Sequence, residues 1–378
     1  MKVLHLWKSD SAASGGGGAV AMSRLHSYLL EAGIDSKILC KFKTDNSRQV
    51  QVFQRSLSSK ILEKFLEQIT CRLGLNDIQR LSSFKLNQHE AYLDSDIIHF
   101  HGFHGFINYL ALPLLATEKA AVYTLQDMWA LTGHCSYNYD CDRWKIGCGK
   151  CPDLDTYPPI KRDATRIEWK LKDWAYGQTK IDIICPSKWM TEQAKQSPLI
   201  NRFPIHHIPY GIDIEIFQPL DPQQCRSQLG IPASKKVLMF AAVYLNDHRK
   251  GGDLLIKALQ SLPESLKSDS VLLVFGKEIE MNSETVGMPL YHLGYLNDDC
   301  SKAVAYSAAD LFLFPTRADV FGLVSIESQA CGTPVISFNV GGIPEHVLPG
   351  TTGYLAESEN SQDFCDGIIP VSYTHLTL

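Results

Sequence analysis

Short apolar runs alternate with longer amphipathic stretches along this chain, and turn residues separate them. In the first half the runs Lys2–Trp7, Ser36–Cys40, Asp96–His101, Ala121–Leu125 and Asp182–Cys185 read as buried strands. In the second half the same holds for Val237–Val243, Val271–Gly276, Tyr291–Gly294 and Asp310–Pro315. Helical patterns fall between them at Ala19–Ala32, Asp253–Leu262, Ser301–Ala309 and Val324–Cys331, with Ser187 capping another and Asn360–Ile368 opening a last one. Strand-helix alternation in both halves predicts two α/β domains, each a Rossmann-like layer of helices around a mostly parallel sheet. The segment Pro204–Pro219 carries three prolines and one glycine, which suits a crossing between domains, and places the boundary near Gly211. The expected division is 1–210, 211–368 and an atypical tail at 369–378.

One helical pattern stands apart. Leu57, Ile61, Leu62, Phe65, Leu66, Ile69 and Leu73 recur at helical spacing, beside Lys60, Lys64 and Arg72. The expectation is that this stripe packs on its own domain; peripheral contact with a membrane surface is the alternative. Glu63 and Glu67 dilute its basic character. The 378 residues carry a net charge of −5, so the balance gives no reason to expect a nucleic-acid partner. No apolar run is long enough to span a bilayer, and the first residues read as a strand rather than a signal peptide, which makes the cytoplasm the default compartment. Eleven cysteines without an export signal suggest reduced thiols or a metal site rather than a disulfide framework.

Four of those cysteines, Cys135, Cys141, Cys148 and Cys151, share one loop (134–152) in C-x5-C-x6-C-x2-C spacing. Four thiolates suit a structural tetrahedral zinc, although an iron–sulfur cluster or two disulfides fit the count. Nearer the start, Ser14–Gly18 lies between a strand and a helix, and Gly16 and Gly17 belong to a loop able to cradle a phosphate. Gly16, Gly18 and Ala21 also satisfy the dinucleotide pattern G-x-G-x-x-A, but the next strand leads into Lys41 where a ribose-binding acid is wanted. His99 and His101 share one strand face; a metal there needs a third ligand, and none is near in sequence. Core packing is expected of His99, while His101, nearer the strand end, can reach a ligand crevice.

The second half centres on Thr316–Glu327, a strand-to-helix turn. Gly322 lets the backbone approach a ligand, and the amides of Leu323 and Val324 open the helix as an anion site. Asp319 and Glu327 are separated by seven residues, and the sequence continues S-Q-A-C-G-T-P-V-I and G-G-I-P-E. This resembles the E-x7-E signature of family 4 glycosyltransferases, with Asp in place of the first Glu, and the resemblance runs from Met1 to about Gly367. It implies the GT-B fold, two Rossmann-like domains facing across a cleft. It also implies a retaining transfer without a catalytic divalent metal or cofactor, from a nucleotide-sugar donor to a glycan or lipid-linked acceptor in envelope or exopolysaccharide synthesis. The resemblance puts Lys250 on the donor diphosphate, Glu327 on its ribose, Asp319 toward the sugar, and the glycine loop beneath the diphosphate. The position several residues before the lysine, where relatives carry an arginine, is not basic here, and Arg249 beside Lys250 is the expected substitute. The segment from Thr124 resembles T-L-H-D-M-W of one branch, with Gln126 where relatives place a sugar-contacting histidine; Gln126 can hydrogen-bond a hydroxyl but cannot titrate. Such an enzyme would work in the cytoplasm, peripheral to the inner face of the membrane. A nucleotide-sugar epimerase and a non-catalytic binding protein of the same fold are the rivals. Relatives continue with further helices, whereas Ile369–Leu378 does not match them; a truncated, altered or non-native end that buries little surface is expected.

Overall fold

The computed structural model describes residues 1–10, 12–44, 46–277 and 281–372, with the backbone alone at 12–15. The chain divides into two compact units, Met1–Pro209 and Tyr210–Leu378. The first holds a seven-stranded sheet in the order β3-β2-β1-β4-β5-β6-β7. Its strands are β1 (Lys2–Ser9), β2 (Asp35–Phe42), β3 (Val50–Val52), β4 (Ile97–Phe100), β5 (Ala120–Thr124), β6 (Asp182–Cys185) and β7 (Ile205–His207). Every pairing is parallel. The second unit holds a six-stranded sheet, β10-β9-β8-β11-β12-β13, again parallel throughout. It comprises β8 (Lys236–Tyr244), β9 (Ser270–Lys277), β10 (Leu290–His292), β11 (Leu311–Phe314), β12 (Val335–Phe338) and β13 (Gly353–Ala356). Parallel strands buried on both faces need apolar residues throughout, and β9, β11 and β12 are almost wholly buried. The two faces of the second sheet carry separate cores, one around Phe240, Leu255 and Phe364 and the other around Phe312, Phe314 and Tyr306.

The sheet order sets the sites. In each unit the order reverses beside the first strand, and in open α/β sheets ligands bind outside the carboxyl ends of strands at that point. Helix α1 (Ala12–Glu31) follows β1 and carries a non-helical break at Gly16, φ 66°. The helix 323–330 follows β11 directly, with Gly322 at φ 82° as its cap.

Three expectations change. Helix α2 (Leu57–Leu73) forms with the predicted bounds, capped by Ser56 and by Gly74 at φ 75°. Its apolar stripe does not pack on its own domain: Leu57, Ile61, Leu62, Phe65, Ile69 and Leu73 are exposed while Glu63 and Thr70 are buried. The reason is polar: Glu63 accepts from the Ser82 amide at 2.7 Å and from Arg55 at 2.8 Å, so the helix docks by its carboxylate. The edge strands β3, β7 and β13 are too short or too polar to show as apolar runs. Finally, the helix 361–371 runs through Pro370, and Ile369 and Val371 pack against the core, so the first residues of the tail do bury surface. The remaining tail residues, 373–378, lie outside the described residues.

Candidate functional site

In the second unit three loops meet at the carboxyl ends of β8, β11 and β12. The loop after β8 turns through Gly251 at φ 72°, where a Cβ would lie 1.8 Å from the Pro315 carbonyl oxygen. The loop after β12 turns through Gly341 at φ 56°, where a Cβ would lie 1.9 Å from the Asp319 carbonyl oxygen. Only glycine permits both the left-handed backbone and these approaches. Arg317 fastens the same corner, donating to both carboxylate oxygens of Asp253 at 2.7 Å and to the His248 carbonyl at 2.6 Å.

These turns bring Arg249, Lys250 and Asp319 together. Lys250 Nζ donates to Asp319 Oδ2 at 2.9 Å, and Arg249 donates to the same oxygen at 3.4 Å and to the Ala318 carbonyl at 3.1 Å. The other oxygen, Oδ1, accepts from the amides of Gly322 at 2.9 Å and Phe321 at 3.3 Å. Burial alone would raise the Asp319 pKa, but Lys250 and then Arg249 more than offset it and hold the carboxyl down at about 2. Burial, with Arg249 beside it, pulls the Lys250 ammonium below its ordinary value despite the pairing. Asp319 is thus shared by two cations, and Arg249 also pairs with Asp247 at 3.4 Å, so the positive end of the helix adds to a balanced cluster of two cations and two carboxylates. The amides of Leu323 and Val324, the first two of the helix, have no intrahelical acceptor.

Glu327 lies in the second turn of that helix and is buried; Tyr306 Oη donates to its Oε2 at 3.2 Å. Sequence reasoning missed three supports here: Tyr306, Arg317, and His346, which shares a hydrogen bond with Ser325 Oγ and which burial holds down at about 4. Of these only Arg317 stood inside a recognised motif.

In the first unit the glycine break of α1, His101 and Gln126 come together at the ends of β1, β4 and β5. A Cβ on Gly18 would meet the Gln126 side chain at 3.2 Å, whereas Gly16 and Gly17 face open space. Gln126 Nε2 lies 3.3 Å from His101 Nδ1, and His101 Nε2 lies 3.0 Å from His5 Nδ1. With Gln126 donating, His101 carries its proton on Nε2 and donates to His5, which leaves His5 Nε2 as a buried donor without a partner. His5 is the third imidazole that the local sequence did not show: it pairs with His99 across β1 and β4, a neighbour in space from a distant stretch of chain. Ligand nitrogens of His5, His99 and His101 lie within 4.8 Å of one another. The His99 and His101 rings, however, stack at 4.0 Å with 29° between planes. A metal sits about 2 Å from each imidazole nitrogen and close to each ring plane, which nearly parallel rings at this spacing do not allow. Burial keeps all three rings neutral, with His99 held down at about 4 and the other two well below the ordinary value. They form a packed cluster in which His101 bonds to both His5 and Gln126.

The cysteine loop has the backbone of a knuckle: Gly147, Cys148, Gly149 and Lys150 are all left-handed, and Cys148 Sγ accepts from the Gly133 amide at 3.2 Å. The soft donor set and this backbone fit a four-thiolate metal site. The sulfur positions do not yet close on one point, since no three of the four lie within 4.8 Å of one another. Burial pushes Cys135 up to about 12 and Cys148 up to about 11. Beside the loop Lys172 is fully buried, donating to the Trp129 and Thr132 carbonyls at 2.6 and 3.0 Å. Glu168 one turn away accepts from Tyr109 Oη at 2.5 Å and the Asn76 amide at 2.6 Å. Charged residues at helical spacing look like a solvated face, so this network was invisible in the sequence. The sequence holds Asp-x-Asp triplets, a spacing able to bind a divalent metal, at 94–96, 140–142 and 153–155. Asp94 is paired with Lys2 and Lys37, and Asp153 is bonded within its own turn.

The model of Glycosyltransferase Family 4 matches residues 15–216, and that of Glycosyl transferases group 1 matches residues 222–372. A "D-inositol 3-phosphate glycosyltransferase 1" of Catenulispora acidiphila is 33% identical over 178 residues, spanning 43% of this chain and 42% of that protein. The chain thus matches less than half the length of this curated relative. Among solved structures, WaaG, a glycosyltransferase involved in lipopolysaccharide biosynthesis, superimposes with a TM-score of 0.68 at 17% identity, over 98% of this chain and 90% of that one. HepE of Anabaena, in complex with UDP-glucose, gives 0.60 at 17% identity, over 99% and 91%. This likeness carries the fold, which is GT-B. With the first of the two family models covering more than half of its residues, the chain belongs to glycosyltransferase family 4.

Proposed function

We propose that the chain transfers a sugar, with retention, from a nucleotide-sugar donor to a glycan or lipid-linked acceptor in envelope or exopolysaccharide synthesis. The observation that carries this is the arrangement at the helix 323–330: Arg249 and Lys250 converge on Asp319 beside the first amides of the helix, where a polyanion can take over cations now held by carboxylates. Such a site attracts a diphosphate, and donors pre-set for a leaving anion are the largest single source of rate in transfers of this kind. Glu327 accepts from the donor ribose, and in the first unit Gly16 and Gly17 face open space in a loop able to take a phosphate. The Asp319 carboxylate, bound to Lys250 and capping the helix, positions the cation and presents its face to the sugar. His101 and Gln126, held by the histidine cluster, meet the transferred sugar. A uridine diphosphate sugar is the donor class to test first, because HepE, of the same fold, is seen with UDP-glucose. A lipid-linked acceptor would place the enzyme at the inner face of the membrane, and the cysteine loop would hold a structural zinc through Cys135, Cys141, Cys148 and Cys151. The test is release of nucleoside diphosphate from a panel of nucleotide sugars, with and without lipid-extract acceptors. Acceptor-dependent release supports transfer. Epimerised donor without acceptor, or binding without turnover of any donor, overturns it.

A further inference from the structure

Helix α2 is built inside out. At about 100° per residue, Leu57, Ile61, Phe65, Ile69, Leu62 and Leu73 cover an arc of about 160°. That arc faces solvent: Leu57 is 74%, Ile61 63% and Phe65 60% exposed, and the other three stand between 42% and 48%. The opposite face, with Ser59, Glu63, Leu66, Glu67 and Thr70, is the one turned inward. Both acids of the helix are engaged there, Glu63 with Arg55 and the Ser82 amide, Glu67 with Arg80 at 2.9 Å. All three basic residues, Lys60, Lys64 and Arg72, are exposed, and among the described residues none makes an ion pair. Both ends are capped, so the helix holds its shape without a partner on the outer face.

We propose that the outer face of α2 docks on a bilayer surface rich in anionic lipid. The helix lies flat, with its six apolar side chains entering the acyl boundary; Lys60 and Lys64 project to one side of the arc, and Arg72, which projects within it in the last turn, reaches back to the lipid phosphates along its aliphatic stem. An apolar arc of this width left in water is an interaction surface rather than ordinary surface. Both acids lie on the side away from the arc and are paired, Glu63 buried and Glu67 half-buried, so the unpaired charges of the helix are positive, which matches an anionic headgroup layer and is the pattern of helices that lie in the membrane interface. This deepens the reading of a lipid-linked acceptor met at a membrane face, but its test involves no turnover.

The test is co-sedimentation of the chain with vesicles of phosphatidylglycerol and phosphatidylcholine, or of phosphatidylcholine alone, at low and high salt. The wild type should sediment with the anionic vesicles and be partly released by salt. Phe65→Glu and Ile61→Glu should each weaken partition by about tenfold or more. Lys60→Gln and Lys64→Gln should each weaken it about fivefold, the worth of one basic group at such a surface. Because these side chains are exposed, melting temperature and titration with nucleoside diphosphate should be unchanged in all four variants. Three results would overturn the proposal: no sedimentation of the wild type with anionic vesicles, equal binding to neutral vesicles, or unchanged vesicle binding in Phe65→Glu. Self-association of the wild type by light scattering, removed by Phe65→Glu while vesicles leave the chain in solution, would assign the face to a second copy instead.

Discussion

Replacing Asp319 with asparagine separates the two tasks of this carboxylate. Asparagine keeps an oxygen for the Phe321 and Gly322 amides, so the cap survives, but Lys250 loses its charged partner and Arg249 keeps only Asp247. The native pKa of about 2 lies below the ordinary 3.8, a difference of somewhat under two units. At 1.36 kcal/mol per unit this is about 2 kcal/mol of stability from the ionised form. The folded pKa is the depressed one, so the contribution is full above the unfolded pKa and is lost as pH falls from about 4 toward about 2. Asp319→Asn should therefore lower the melting temperature by about 4–8 °C at neutral pH, the scale expected for a unit of this size. The gap between the two proteins should hold from neutral pH down to about 5 and narrow below about 4. Binding should move the other way. With the competing carboxylate neutral, Lys250 is open to an incoming diphosphate and Arg249 keeps only Asp247, so diphosphate affinity should stay level or rise by up to about tenfold, while turnover of whole donor falls. Urea titrations at several pH values and calorimetric titration with UDP measure both. A variant as stable as the wild type at pH 7, or one whose UDP affinity falls tenfold, refutes this reading of Asp319.

Other outcomes follow from the same structure. Glu327→Gln should weaken UDP and uridine alike by about 1.5–3 kcal/mol, because the contact proposed is to the ribose; calorimetry with both ligands checks it, and an effect confined to UDP contradicts it. Lys172→Met removes a buried cation from two carbonyls and from Glu168, and should cost about 3 kcal/mol or more by urea denaturation; a loss under 1 kcal/mol would show that the network does not hold the loop. Elemental analysis of reduced protein should find about one zinc per chain, lost as pH falls because thiolates must be deprotonated to bind, and Cys148→Ser should remove it; metal-free protein in fresh preparations ends the zinc proposal.

Much of the frame was legible because a parallel sheet demands apolar runs. β6 has the predicted bounds, and β1, β4, β5, β8, β9 and β11 lie within a few residues of them. β3 and β7, three residues each and partly exposed, carry no such demand and left no trace. The turn after β11 was readable through Gly322 and the helix it starts, and Arg249 and Lys250 through their place beside Gly251. What could not be read was pairing across distance. His5 meets His99 through a strand register, and Glu168 and Lys172 face inward where alternating charge suggests solvent. The α2 stripe was seen, but its direction was not, because Arg55 and the Ser82 amide, which draw Glu63 inward, flank the helix on both sides in sequence.

The central claim is that Arg249, Lys250 and the start of the helix 323–330 form a diphosphate site. Calorimetric titration of wild type, Arg249→Met and Lys250→Met with UDP, UDP-glucose and uridine tests it most directly. Each substitution should weaken UDP and UDP-glucose by about ten- to a hundredfold, the worth of a charge-assisted hydrogen bond, and leave uridine unchanged. Unchanged UDP affinity in both variants, or an equal loss for uridine, would contradict the claim.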